Sequence, residues 1–284
     1  MANSALSLTS LDFNTLKSNF KSYLAAQPIF KDFNFEGSNI NVLLDVMSYN
    51  TYLNSFYLNM VASEMFLDSA QKLDSVVSHA KELNYTPRSP RSPVANVSFT
   101  VSVTGIASPF TVPKGTLFQG TNSNGAFTFT TAITQNYTSS SNTFTIDNLR
   151  IYEGTYVTDT FLVDSSIENQ RFVMTNDTID TDSLTVTVVE DGVSTEFKRA
   201  ESLFGVNSDS SVYYLQAAQN GLYEIIFGDG LFGRQPINLA TISCNYRITR
   251  GTEGQGVNNF SCTTDLGAVN GGLATVNPIT VNAP

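Results

Sequence analysis

The chain has 284 residues, enough for about two domains, and its 41% of hydrophobic residues allows a buried core and excludes wholesale disorder. Only 14% of the residues are charged, yet the net charge is −10; an acidic surface repels phosphate backbones, which excludes nucleic acid as the main partner. Two cysteines are too few for a disulfide framework: Cys244 reads as a buried thiol in a strand, with a single bridge to Cys262 as the alternative.

Met1 to Leu8 lacks the basic start and apolar run of an export signal, so cytosolic synthesis is expected. Residues 8 to 86 carry a helical period. Thr9 is placed to cap a first helix, with Asp12 in its first turn, where the helix dipole favours an acid. Phe13, Leu16, Phe20, Tyr23 and Leu24 share one face, and Pro28 ends the helix.

Ser38 caps the next helix, expected over Ile40 to Leu67 without Pro or Gly. Such a helix is about 42 Å long at roughly 1.5 Å per residue. Val42, Val46, Tyr49, Leu53, Phe56 and Met60 form a stripe; Leu43, Met47, Leu58, Val61 and Met65 widen it beyond one face. Nearly all-round hydrophobicity predicts enclosure by other helices, more than this chain supplies. Asp45 and Glu64 within the stretch argue against a membrane span. A third helix is expected from Ser69 to Leu83, with Leu73, Val76, Val77, Ala80 and Leu83 as its seam.

Asn84 to Pro93 contains three prolines within seven residues, which end helical structure and mark a domain boundary. Beyond it the period changes to alternation. Val97, Phe99, Val101 and Val103 read as a half-buried strand. Thr111 to Phe118 turns at Pro113-Lys114-Gly115, and Phe127 with Phe129, Phe144 with Ile146, and Tyr156 to Val163 repeat the pattern. A second β stretch begins near Phe172. It includes Leu184 to Glu190 with a hairpin at Asp191-Gly192, then Ser211 to Gln216 and Leu222 to Phe227 joined through Asn220-Gly221, and Ala240 to Thr249. The end of the chain is rich in Gly, Thr and Asn and shows no closing element.

The expected fold class is therefore α+β, an N-terminal helical segment followed by two mainly antiparallel β domains. The expected boundaries are a helical assembly segment over 1–86, a Pro-rich linker over 87–93, β domains over 94–165 and 166–260, and a C-terminal extension over 261–284.

Two stretches carry a family resemblance. Ile225-Ile226-Phe227-Gly228-Asp229-Gly230-Leu231-Phe232-Gly233-Arg234-Gln235-Pro236, followed by Tyr246-Arg247-Ile248-Thr249-Arg250-Gly251, resembles the signature of the baseplate J-like family of contractile-tail proteins. Phe35-Glu36-Gly37-Ser38, Leu43-Leu44-Asp45-Val46, Tyr49-Asn50, Asn59-Met60-Val61-Ala62 and Leu83-Asn84-Tyr85-Thr86-Pro87-Arg88 resemble the N-terminal part of baseplate wedge proteins of T-even-like phages. Val112-Pro113-Lys114-Gly115-Thr116 and Tyr152-Glu153-Gly154 are smaller matches. The resemblance covers most of residues 8 to 260, and this chain stops where the C-terminal half of longer wedge proteins would begin, as a short or truncated version.

The resemblance implies a virion protein of the tail baseplate, assembled in the host cytoplasm. Its implied partners are a second copy of itself, other wedge subunits, and neighbouring wedges around the tail tube, with neither nucleic acid nor membrane. Leu43, Val46, Met47, Tyr49, Leu53, Phe56, Tyr57 and Met60 are the expected helical interface. Phe227, Gly228, Asp229, Gly230, Gly233 and Arg234 are the expected structural signature turn.

Catalysis is not expected, nor a cofactor or metal. His79 is the sole histidine and sits on a helix, so a hydrogen-bonded or solvent-facing ring is the simpler reading. Phe227-Gly228-Asp229-Gly230 reads as a turn in which Asp229 caps its neighbours, rather than as a calcium or phosphate loop. Arg234 is expected to pair with Asp229 or a nearby carbonyl. Asp177, Asp180 and Asp182 match no calcium-loop spacing and read as a solvated turn. Arg88 and Arg91 read as fixing the linker against acidic neighbours or a partner subunit. The Asn84 to Pro93 linker is the candidate hinge for a subunit that rearranges on host attachment. The competing readings are a receptor-binding or fibre-type virion protein recognising host-surface glycan or protein, and a carbohydrate-active β-sandwich enzyme. The enzyme would need two carboxyl groups about 5–10 Å apart across a cleft, and no such pair can be assigned.

Overall fold

The computed structural model describes residues 12–29, 34, 36–83, 85–106 and 108–282. The chain divides into two units: residues 1–86 with Gln219–Gly221, and residues 87–218 with 222–284.

In the helical unit, α1 spans Phe13–Ala25, α2 Asn39–Glu64 and α3 Leu73–Glu82. Asp12 itself caps α1, its carboxylate accepting from the backbone N–H of Asn14 at 3.3 Å and Thr15 at 2.9 Å. Thr9, the expected cap, lies outside the described residues, as do Phe35 and Asn84. Ser38 caps α2 as its position predicts, taking the Asn41 N–H at 3.1 Å.

The third helix starts four residues later than the Ser69 expectation, because its first turn is built by remote acceptors. Ser69 Oγ donates to the Ser63 carbonyl at 2.7 Å. The Glu64 carboxylate accepts from the N–H groups of Gln71 at 3.1 Å and Lys72 at 3.2 Å. Lys72, at the N-cap, offers no side-chain bond, so Glu64 serves as the cap from the end of the preceding helix. Hydrogen bonds from Ser75, Gln71 and Lys72 hold the Glu64 carboxyl below its usual range. His79 Nε2 lies 2.9 Å from the Glu64 carbonyl oxygen, a structural bond.

The β unit holds two seven-stranded sheets, mainly antiparallel, so the α+β expectation is met. β1 (Val94–Thr104), β2 (Phe110–Val112), β3 (Leu117–Asn122), β4 (Gly125–Thr131), β5 (Gln135–Tyr137) and β6 (Thr143–Glu153) come first. β7 (Thr155–Leu162), β8 (Phe172–Val173), β9 (Ile179–Glu190), β10 (Val193–Arg199), β11 (Val212–Ala217), β12 (Tyr223–Phe227) and β13 (Thr241–Ile248) follow. β14 (Asn259–Cys262), the short helix α4 (Leu266–Asn270), β15 (Leu273–Val276) and β16 (Thr280–Asn282) come last.

The first sheet runs β14-β3-β4-β6-β1-β15, with β16 also on β1; the second runs β7-β13-β9-β10-β11-β12-β8. Two differences from the expected organisation follow. The segment beyond residue 260 is no appendage: β14 pairs with β3, and β15 and β16 both pair with β1. β7, expected with the first domain, pairs with β13 and belongs to the second sheet. The second sheet, residues 155–248, is thus inserted into the first. The sequence pattern hid this, because strands of three or four residues are too short to show apolar alternation.

Alternation builds the first core. Val97, Phe99, Val101 and Val103 of β1 are all buried, against Phe118, Phe129, Phe144 and Ile146. A bulge keeps β6 in phase: Val97 faces Leu149 while Phe99 faces Ile146, and Asn148 takes φ 52° with its N–H on Ser98 Oγ at 3.0 Å. The second core stacks Phe172, Phe227 and Phe197 edge to face, at 5.7 and 5.2 Å between rings. Cys244 and Cys262 are both free; Cys244 is buried within β13, and burial pushes its thiol up to about 12.

Asp191 and Gly192 form the predicted two-residue hairpin, both with positive φ, between Glu190 and Val193. Within the candidate hinge, Asn84 to Pro93, three residues are fastened to the β unit. Ser89 Oγ accepts the Thr181 N–H at 3.0 Å, Ser92 Oγ reaches Asp180 at 2.7 Å, and Arg91 pairs with Asp182 at 2.8 Å. Of the three acids read as a solvated turn, Asp177 is exposed in a bend and Asp182 is exposed beside Arg91, whereas Asp180 is buried and holds the linker through Ser92.

Candidate assembly interface

α2 contains 26 residues, about 39 Å of helix. Its buried residues lie near its two ends: Asn41, Leu44 and Ser48, at steps of three and four, and Asn59, Ala62 and Ser63. Four of those six are polar. The large apolar side chains face the other way. Leu43, Val46, Met47, Tyr49, Phe56 and Tyr57 are between 46% and 60% exposed, and Val42, Leu58, Val61 and Met65 are exposed with them. Leu53 and Met60 are half-buried.

A helix of an independently folded domain buries its apolar stripe and shows its polar one. α2 does the reverse. α1 packs on it, with Lys17 paired to Asp45, but buries none of its own residues completely. On α3 only Val77 and Ala80 of the expected seam are buried, while Leu73 and Leu83 are 59% and 70% exposed. The helical unit thus leaves many of its large apolar side chains exposed, the character of a surface that packs against a partner. Among the described residues no helix is long and apolar enough to cross a membrane.

The signature turn lies in the second sheet, directly after β12. Asp229 Oδ1 accepts from the N–H groups of Leu231 at 3.0 Å and Phe232 at 3.1 Å, and these bonds hold its carboxyl below the usual range. Gly230 N–H donates to the Gly233 carbonyl at 3.0 Å, and Gly233 N–H to the Asn207 carbonyl at 3.0 Å. A Cβ on Gly228 would lie 2.2 Å from the Gly233 oxygen, so that position is glycine for want of space. A Cβ on Gly230, at φ +87°, would meet nothing within 4 Å, so that position is glycine for its backbone alone.

Arg234 does not pair with Asp229. Its guanidinium binds the Glu190 carboxylate and lies over the Phe197 ring, 4.9 Å from the centroid. Glu190 also accepts the Ile237 N–H at 2.9 Å, and Asp229 is occupied by its own turn. Glu190 was missed by sequence reasoning, which looked only to local partners; it reaches Arg234 across 44 positions of chain. Arg234 thus braces the chain after β12 to the β9–β10 hairpin. Among the described residues no three His, Cys, Asp or Glu side chains come together as metal ligands.

The geometry is thus a helix with exposed apolar side chains, followed in the chain by two mainly antiparallel sheets. Residues 12–85 match the family described as baseplate wedge protein gp6-like, helical domain. The chain is 25% identical over 273 residues to the baseplate wedge protein gp6 of Enterobacteria phage T4, an alignment covering 88% of this chain and 40% of that protein. The resemblance to baseplate wedge proteins that the motifs carry is therefore borne out, and the chain spans about 40% of the length of that relative.

Proposed function

We propose that the chain is a structural, non-enzymatic subunit of a phage baseplate wedge. The outward face of α2, with Leu43, Val46, Met47, Tyr49, Leu53, Phe56, Tyr57 and Met60, packs against a second copy and against helices of other wedge subunits. Wedges joined in this way close a ring around the tail tube, in the tail of the virion after assembly in the host cytoplasm. Rearrangement of their interfaces between two packings passes on the signal for sheath contraction.

The carrying observation is the inversion of α2: apolar side chains face water while Asn41, Ser48, Asn59 and Ser63 are enclosed. Interfaces between permanently associated subunits are the more hydrophobic kind, and this surface has that character. The long apolar helix argues against a receptor-binding fibre. Sedimentation velocity of the full chain over a concentration series tests the pairing, with association expected at micromolar concentration. A strict monomer at every concentration would remove self-pairing. Imaging of purified tails tests the placement, and a position outside the baseplate would overturn the reading.

A further inference from the structure

The second sheet hangs from the first by two crossings that lie side by side. The chain leaves β6 at Glu153-Gly154 to enter β7, and returns from β13 at Ile248-Thr249-Arg250. Thr155 pairs with Ile248, so the crossings form a two-stranded ribbon. An inserted domain on such a ribbon would ordinarily bend there.

Here the ribbon is packed with charge. Arg247 is 2% exposed and lies 4.5 Å from the centroid of the Tyr152 ring, which belongs to β6 of the first sheet. Its guanidinium donates to Tyr156 Oη at 2.7 Å and reaches Asp180 of β9 at 3.4 Å. Asp180, 5% exposed, also takes the Ser92 hydroxyl at 2.7 Å, from the residues just before β1. On the other side of the ribbon Glu153, 3% exposed, accepts from Thr249 Oγ1 at 2.5 Å and from the Arg250 N–H at 3.0 Å. Gly154 closes the gap: a Cβ there would lie 2.0 Å from the Ile248 carbonyl oxygen.

We propose that this joint is a lock, which makes the inserted sheet and the sheet that carries it one mechanical body. Bending the ribbon would take the Tyr152 ring from Arg247 and the Ser92 hydroxyl from Asp180, and would part the buried Glu153 carboxylate from Thr249 and Arg250, leaving a buried charge short of hydrogen bonds, a costly way to open a protein interior. Motion of the β unit in an assembly then occurs at its borders with other parts, not between its sheets. The inference rests on the β unit alone and stands whether or not the chain assembles as proposed above.

Amide hydrogen exchange of the full chain in mild denaturant, read by mass spectrometry, tests the lock. In the wild type the slowest amides of β3 and β4 and those of β11 and β12, all remote from the joint, open together at one rate. In Arg247→Met, which keeps bulk and removes the cation, the two sets separate by on the order of a hundredfold. Glu153→Gln, a milder change should the first variant fail to fold, separates them by about tenfold. Two distinct rates in the wild type would overturn the proposal. So would a folded variant in which both sets quicken equally, since that is the mark of an ordinary stabilising contact.

Discussion

The three glycines of the signature turn should respond to alanine in a fixed order. Gly230 has free space and φ +87°, so Gly230→Ala meets only backbone strain, about 1 kcal/mol. Gly233 has φ +103° and Val212 Cγ2 at 2.9 Å, so strain and a side-chain clash combine to about 2 kcal/mol in Gly233→Ala. Gly228 meets backbone, with Gly233 O at 2.2 Å and Gly233 Cα at 2.5 Å; neither can rotate away, so Gly228→Ala costs about 3 kcal/mol or more. At about 2–4 °C per kcal/mol for a unit of this size, the midpoints should fall by about 3, 6 and 9 °C respectively. Differential scanning calorimetry of the three purified variants reads the series. A Gly228→Ala midpoint no lower than that of Gly230→Ala would refute the assignment of one glycine to space and the other to backbone angle.

Other expectations are simpler. Val46→Asp with Phe56→Asp should weaken self-association in sedimentation by about a hundredfold, since covering two half-exposed apolar side chains contributes about 2 kcal/mol and each new charge would be buried; far-UV circular dichroism should be unchanged. Glu64 has a lowered folded pKa, so its support of α3 is present above the ordinary carboxylate range and lost as pH falls through the folded value. Acidification should therefore speed amide exchange in residues 73–82, and Glu64→Gln should abolish that dependence while starting from the faster rate. With its thiol pushed up to about 12, Cys244 should stay unlabelled by maleimide at pH 8 until the protein is unfolded; rapid native labelling would contradict its burial in β13.

Short-range chemistry was legible in the sequence, and long-range chemistry was not. Ser38, the Asp191-Gly192 hairpin and the β1 alternation need only a few neighbouring residues, and each stands where its residues point. The greasy breadth of α2 was also readable, because a helical period can be counted. What a period cannot give is the identity of a distant partner. Arg234 finds Glu190, and Arg247 finds Asp180 at a separation of 67 residues, where no spacing rule applies. The start of α3 shifted because its cap comes from Glu64, eight positions before Lys72. The insertion was invisible for a related reason: β14 to β16 are three or four residues each, too short for a pattern, and only their pairing with β3 and β1 reveals what they complete.

Because β15 and β16 pair end to end along the edge of β1 that β6 leaves open, a strand translated early must wait for partners made much later. On the ribosome the inserted sheet, 155–248, emerges whole and can close first. Meanwhile Val97 to Thr104 offers a row of unsatisfied N–H and C=O groups on one side, open to any other nascent strand within reach. A ribosome that stalls just short of Leu273 would therefore release a chain with most of its β structure in place, yet sticky at its oldest edge.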